Sequence, residues 1–161
     1  MKILNLPSIS WSLCVAALGM TLTAWTPAQA QSRYTFSTDG SEVTDTQTGL
    51  TWRRCSTGQT WSGTSCVGGL TVLTHEGALA YAATQTGWRL PNIKELRSLV
   101  DENKTFPSLD TVAFPGTATT AYWSSTPDVQ LSSSAWSVDF AQGAVRSTGR
   151  NTFGVLVRLV R

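Results

Sequence analysis

Histidine, charge and free thiols are scarce in this chain of 161 residues, and each shortage closes off a class of chemistry. His75 is the only histidine, so no multi-histidine metal site can be built and no H-E-x-x-H pattern occurs. A lone histidine at a helix start reads as a surface or half-buried structural residue. There is no G-x-S-x-G nucleophile elbow. The one Gly pair, Gly68-Gly69, is followed by Leu70-Thr71 where a phosphate-binding loop needs Lys-Ser/Thr. Internal repeats and low-complexity tracts are also missing, and no later segment is apolar enough to cross a bilayer.

What is present begins with an export signal. Residues 1–30 have Lys2 at the start, an apolar stretch from Leu13 to Met20 and Ala28-Gln29-Ala30 as a small-x-small cleavage site. The apolar stretch is shorter than the roughly 20 residues of a spanning helix. Leu13 before Cys14 disfavours a lipoprotein signal. Cleavage leaves 31–161, one domain, with eleven Lys and Arg against ten Asp and Glu. So even a balance gives no whole-protein field for nucleic acid or anionic lipid. Cys55 and Cys66 then remain, with ten residues between them, and in an exported chain they are expected to form a structural disulfide. Closing that loop stabilises by roughly 3 kcal/mol. C-x-x-C redox chemistry is excluded by the spacing.

The mature chain reads as α+β. Short strands are expected at Tyr34–Phe36, up to Val43, and at Leu50–Trp52, with Gly49 in the turn. Thr74–Thr84 is predicted as a first helix, with Ala78, Leu79, Ala82 and Ala83 facing the core. Asn92 with Glu95 forms a capping box for a second helix carrying Ile93, Leu96, Leu99 and Val100 inward, with Lys94 and Arg97 in water. Phe106 to Thr120 is irregular and pinned by Phe106, Val112 and Phe114. Strands follow at Ala121–Ser125, at Ala135–Phe140 (Trp136, Val138 and Phe140 on one face) and at Ala144–Ser147 after a turn at Gly143. Phe153–Val160 closes the sheet at a position the pattern leaves open. Asp101, Asn103 and Thr105 alternate oxygens as a calcium loop would, but Phe106 and Val112 stand where its Gly and Glu belong. A looser cation site of Asp101, Asn103 and Asp110 is the weaker alternative to a polar helix-terminating loop.

Gly49–Cys55, Gly58-Gln59-Thr60-Trp61, Trp88–Asp101, Phe114-Pro115, Tyr122–Ser125 and Val157–Arg161 occur in an order that resembles the Lcl C-terminal domain family of bacterial collagen-like adhesins, over about residues 43–161. The resemblance implies surface attachment and binding of sulfated glycosaminoglycans. The collagen-like stalk is absent, so trimeric avidity is not implied. More distantly, Arg89-Leu90-Pro91 and the Arg158 strand are similar to the formylglycine-generating enzyme superfamily. That similarity implies a C-type-lectin-like fold, with two helices on a mainly antiparallel twisted sheet and long loops. Its reaction is not implied, because no cysteine follows Cys66. Thr126-Pro127-Asp128 is only a fragment of the calcium-lectin motifs.

The expected function is therefore an exported, non-catalytic binding domain with no cofactor, acting in the periplasm, at the cell surface or secreted. Its ligand would be an acidic or sulfated extracellular polysaccharide. The alternative is an envelope protein–protein interaction module, its partner an envelope or host surface protein met through loops 105–120 and 126–134. A third reading is a degenerate enzyme relative. Trp52, Trp88, Trp123 and Trp136 are expected in the core, Trp61 exposed, and Arg158 paired internally with Glu95. Arg146 and Arg150 are the first candidates for anion binding, with Lys104 and Arg54 behind them.

Overall fold

Trp52 and Val43 face each other across the first sheet, and both are fully buried. In the computed structural model, which describes residues 32–161, this sheet comprises β1 (Tyr34–Phe36), β2 (Glu42–Asp45) and β3 (Thr51–Arg53), all antiparallel. Residues 1–31, with the expected leader and Cys14, lie outside the described residues. The Val43–Trp52 pair sets the register, because a one-residue slip would turn both side chains outward. Gly49, at φ 73°, closes the β2–β3 turn. At the end of β2 the buried Asp45 carboxylate accepts from Arg33 Nε at 3.1 Å and Nη2 at 2.7 Å, and from the Gln47 amide at 3.0 Å. Burial alone would raise its pKa; the Arg33 fork and the Gln47 amide outweigh that and hold the carboxyl below its usual range.

The Cys55–Cys66 disulfide is formed, with Cα atoms 5.4 Å apart, and it closes a loop containing β4 (Thr60–Trp61) and pairing with β5 (Cys66–Val67). Helix α1 (His75–Ala83) is capped by Thr74, whose hydroxyl accepts from the Gly77 amide. Its buried residues are His75, Ala78 and Ala82, spaced three and four apart; Leu79 and Ala83, expected inside, are exposed instead. Helix α2 (Ile93–Arg97) has both halves of the capping box, Glu95 N to Asn92 Oδ1 at 3.0 Å and Asn92 N to Glu95 Oε2 at 2.8 Å. It stops at the Ser98 cap rather than running to Val100, and the chain continues in tight turns that still bury Leu99.

A second antiparallel sheet holds β6 (Ala121–Pro127), β7 (Ser134–Asp139) and β8 (Ala144–Gly149) in that order. Side chains alternate across it, and both faces of β6 are covered. Tyr122 joins Val138 and Phe140 in one cluster with Trp52, Leu96, Leu99 and Phe114. On the opposite face Trp123 joins Ala135, Ala78, Ala82 and Leu159. Trp88 and Trp136 are only half-buried, unlike the fully enclosed Trp52 and Trp123.

The segment 155–160 is buried throughout and is central, not an edge. Leu156 exchanges backbone bonds with Ala121 and Trp123, while Arg53 N donates to Leu159 O and Arg161 N to Thr51 O. It makes bridges with single residues rather than a continuous strand. Phe153, expected to begin it, is exposed. In the loop before β6, Leu109, Ala113 and Phe114 supply the anchoring; Phe106 and Val112, expected to share it, are exposed. The result is a mixed helix-and-sheet fold with mainly antiparallel strands and few helices. No helix among the described residues is long and apolar enough to cross a membrane.

Candidate functional site

Strand alternation separates two neighbouring arginines. Trp52 points into the core, so Arg53 emerges on the opposite face and Arg54 returns inward. Arg54 is only 8% exposed and gives all three of its nitrogens to carbonyls: Ala113 at 2.9 Å, Gly40 at 2.7 Å and Val112 at 2.7 Å. Asp110 prepares this cradle by accepting the Val112 and Ala113 amides on Oδ1, at 2.8 and 2.9 Å. The Arg54 guanidinium lies 4.0 Å from the centre of the Trp61 ring and 4.6 Å from that of Phe36. Trp61 is pinned in turn by its indole N–H on Asp39 O at 2.9 Å. A Cβ on Gly40 would come within 3.2 Å of that indole, and the residue holds φ 72°, so glycine suits both the close approach and the backbone there.

Arg158 lies deeper, fully buried. It donates to Arg53 O at 3.1 Å, to Arg54 O, to Ser56 Oγ at 3.2 Å and to Thr117 Oγ1 at 2.7 Å, and it packs on the rings of Phe114 and Tyr122. The expected Arg158–Glu95 pair does not form. Glu95 is taken by Arg89 in a bidentate pair at 2.7 and 2.8 Å, which holds its carboxyl below the usual range. Burial pushes down the pKa of both Arg54 and Arg158, yet a guanidinium stays charged in proteins. Among the described residues neither cation has a carboxylate partner.

Next to these two charges is a cleft of about 260 Å³, whose lining includes Trp61, against which Arg54 packs, and Ser56, to which Arg158 donates. Trp61, Tyr81 and Trp88 give it aromatic walls, and Ser56, Thr57, Leu159, Gln59, Arg53 and Glu42 are also on its lining. Arg53 donates one hydrogen bond, to Gln85 Oε1 at 3.0 Å, and lies 5.0 Å from the Trp88 ring centre. Arg161 stands 4.8 Å from the same ring and is tied to Glu42 at 2.6 Å. Gln59 Oε1 is buried with no protein partner. The arrangement offers flat apolar surfaces and one available guanidinium fork, with the one carboxylate of the lining, Glu42, already paired to Arg161.

The residues singled out from sequence are scattered by comparison. Arg54 and Trp61 meet, but Arg54 is part of the interior and its fork is consumed. Arg146 on β8 is exposed and sits 3.5 Å from Asp139; Arg150 donates from Nε to Ser134 O at 3.2 Å. Lys104 lies 3.4 Å from Asp101 and 3.7 Å from Asp110, so its ammonium occupies the place between the carboxylates considered for a cation. No metal-holding cluster occurs among the described residues. His75 is buried, its Nε2 3.0 Å from Ser124 O and its ring edge-on to Trp123. Burial lowers its pKa, with Arg150 adding to the effect, so the ring is neutral. Loops 105–120 and 126–134 are tied to opposite ends of β7, through Phe140 and Ser134. Sequence reasoning missed Arg53, Gln59 and Tyr81, and placed Trp88 in the core; the available signal was the alternation at Trp52-Arg53-Arg54.

The Lcl C-terminal domain family matches the chain over residues 41–161, and the chain belongs to that family. The family points to a non-catalytic domain of adhesin-like proteins. No curated protein and no solved structure matches. The disulfide is consistent with an exported protein.

Proposed function

We propose that this is an exported, non-catalytic binding domain that takes an acidic extracellular saccharide in the Trp61–Tyr81–Trp88 cleft. The observation that carries the reading is the pair of buried guanidinium groups touching its lining, Arg54 on Trp61 and Arg158 on Ser56, with no carboxylate partner among the described residues. Buried charges in a low-dielectric interior are poorly screened, so their field extends into the cleft and favours an anion there. The aromatic walls suit the apolar faces of sugar rings. The C-type-lectin-like assignment and its distant superfamily link belong to this reading, supported by the antiparallel sheets, the two helices among the described residues and the long loops.

A glycan array with the oxidised protein tests it. Acidic glycans are expected to be retained by the wild type, weakened by Trp61→Ala and Tyr81→Ala, and kept by the Arg146→Glu/Arg150→Glu variant on the β8 side. Loss of binding in that β8 variant alone would move the site to Arg146 and Arg150. Capture of an envelope or host surface protein with no glycan signal would favour the protein-interaction reading.

A further inference from the structure

Most of the surface cations are already engaged by acids, and of the exceptions Lys94 and Arg150 are not on the cleft lining, which limits how many negative charges a ligand can bring. Arg89 is saturated by Glu95, Arg161 is held by Glu42, Arg146 faces Asp139, and Lys104 sits between two carboxylates. Arg54 and Arg158 act on the cleft only through their field, because the three Arg54 nitrogens and the two terminal Arg158 nitrogens bond interior oxygens and Arg158 Nε is buried. That leaves Arg53 as the one guanidinium on the cleft lining with spare N–H groups, its single side-chain bond going to neutral Gln85.

Resting on the cleft reading, we infer that the site recognises one isolated anionic group, a carboxylate or a single sulfate ester, on an otherwise neutral saccharide, and does not select densely sulfated chains. A planar fork receives one such group bidentately. Further sulfates would project toward arginines whose own acids must first be displaced. Exposed ion pairs of that kind exchange one partner for another with little net gain. The two buried cations raise the attraction for the first charge and offer no contact to the second.

Calorimetric titration of the oxidised full chain with four size-matched oligosaccharides tests this. They carry one carboxylate, one sulfate ester, several sulfates, or no charge (the carboxyl-reduced form). The carboxylate and monosulfate arms identify which anion the fork prefers. The singly charged ligands are expected to bind and to lose about tenfold or more in Arg53→Gln, with partial rescue in Arg53→Lys. Multiple sulfation is expected to add less than about threefold. An affinity that climbs about tenfold with each added sulfate overturns the single-anion inference while leaving an acidic ligand in place. Equal binding of the uncharged chain, or unchanged binding in Arg53→Gln and Arg53→Lys with their folding intact, sinks the cleft reading itself.

Discussion

The cleft side and the β8 side of the molecule both carry arginines, and they use them in opposite ways. Beside the cleft, Arg54 and Arg158 are enclosed and held by carbonyls, hydroxyls and ring faces. On β8, Arg146 is in water beside Asp139, 56% exposed against 24% for its partner. A charge in water is screened and exchanges partners freely, whereas an enclosed one is held by fixed partners and projects its field outward. Counting arginines would rank the two sides equally. Burial makes one a structural and electrostatic support and leaves the other an ordinary wet surface.

The sharpest way to break that contrast is Arg158→Ala. It strips four oxygens of their donor and leaves a void among Phe114 and Tyr122, so a loss of about 4 kcal/mol or more is expected from the urea midpoint. Arg158→Met, which fills the volume, should lose less; an equal loss would mean that hydrogen bonding, not packing, dominates. Next in size is Cys55→Ser/Cys66→Ser, expected to cost about 3 kcal/mol in thermal or urea unfolding. It should also weaken ligand binding, because the bridged loop presents Trp61.

A smaller effect separates Arg33 from the buried pair, since Arg33 does have a carboxylate. Asp45 has a folded pKa below its unfolded value, so its contribution is present above the unfolded pKa, near 4, and fades as pH falls through the lower folded value. Asp45→Asn is expected to cost about 2 kcal/mol at neutral pH. It should also flatten the acid limb of the stability–pH curve; an unchanged limb would show that another carboxylate governs it. Smallest of all, Asp139→Asn should shift stability by at most about 0.5 kcal/mol and leave binding as it was.

Reading the residues in order made much of the framework visible, for reasons of range. The α2 cap joins Asn92 to Glu95, three residues on, and local chemistry suffices to place it. The Cys55–Cys66 bridge follows from count and compartment, and the Gly49 turn from the residue types around it. The end of α2 was missed because Leu99 and Val100 keep an apolar spacing after the helical bonds have given way to tight turns. Phe106 and Val112 were placed inside on hydrophobicity alone, while Leu109 and Ala113 took those positions. The Arg158–Glu95 expectation failed because Arg89, six residues from Glu95, competes for the same carboxylate.

The candidate site was much less legible than the frame. Arg158 reaches across 104 residues to Arg54 O, 102 to Ser56 and 41 to Thr117, and no pattern along the chain announces such partners. Trp61, Tyr81 and Trp88 come from a bridged loop, a helix and the segment after it, and meet only once 155–160 has passed between the sheets.

By itself, the amino-acid order determined the α+β class, both helix starts, the disulfide and the family, because these depend on alternation, capping and composition over short spans. Tertiary structure alone decided which arginines are buried support, cleft lining or wet surface. Charge acts through its surroundings, and those surroundings are assembled from opposite ends of the chain.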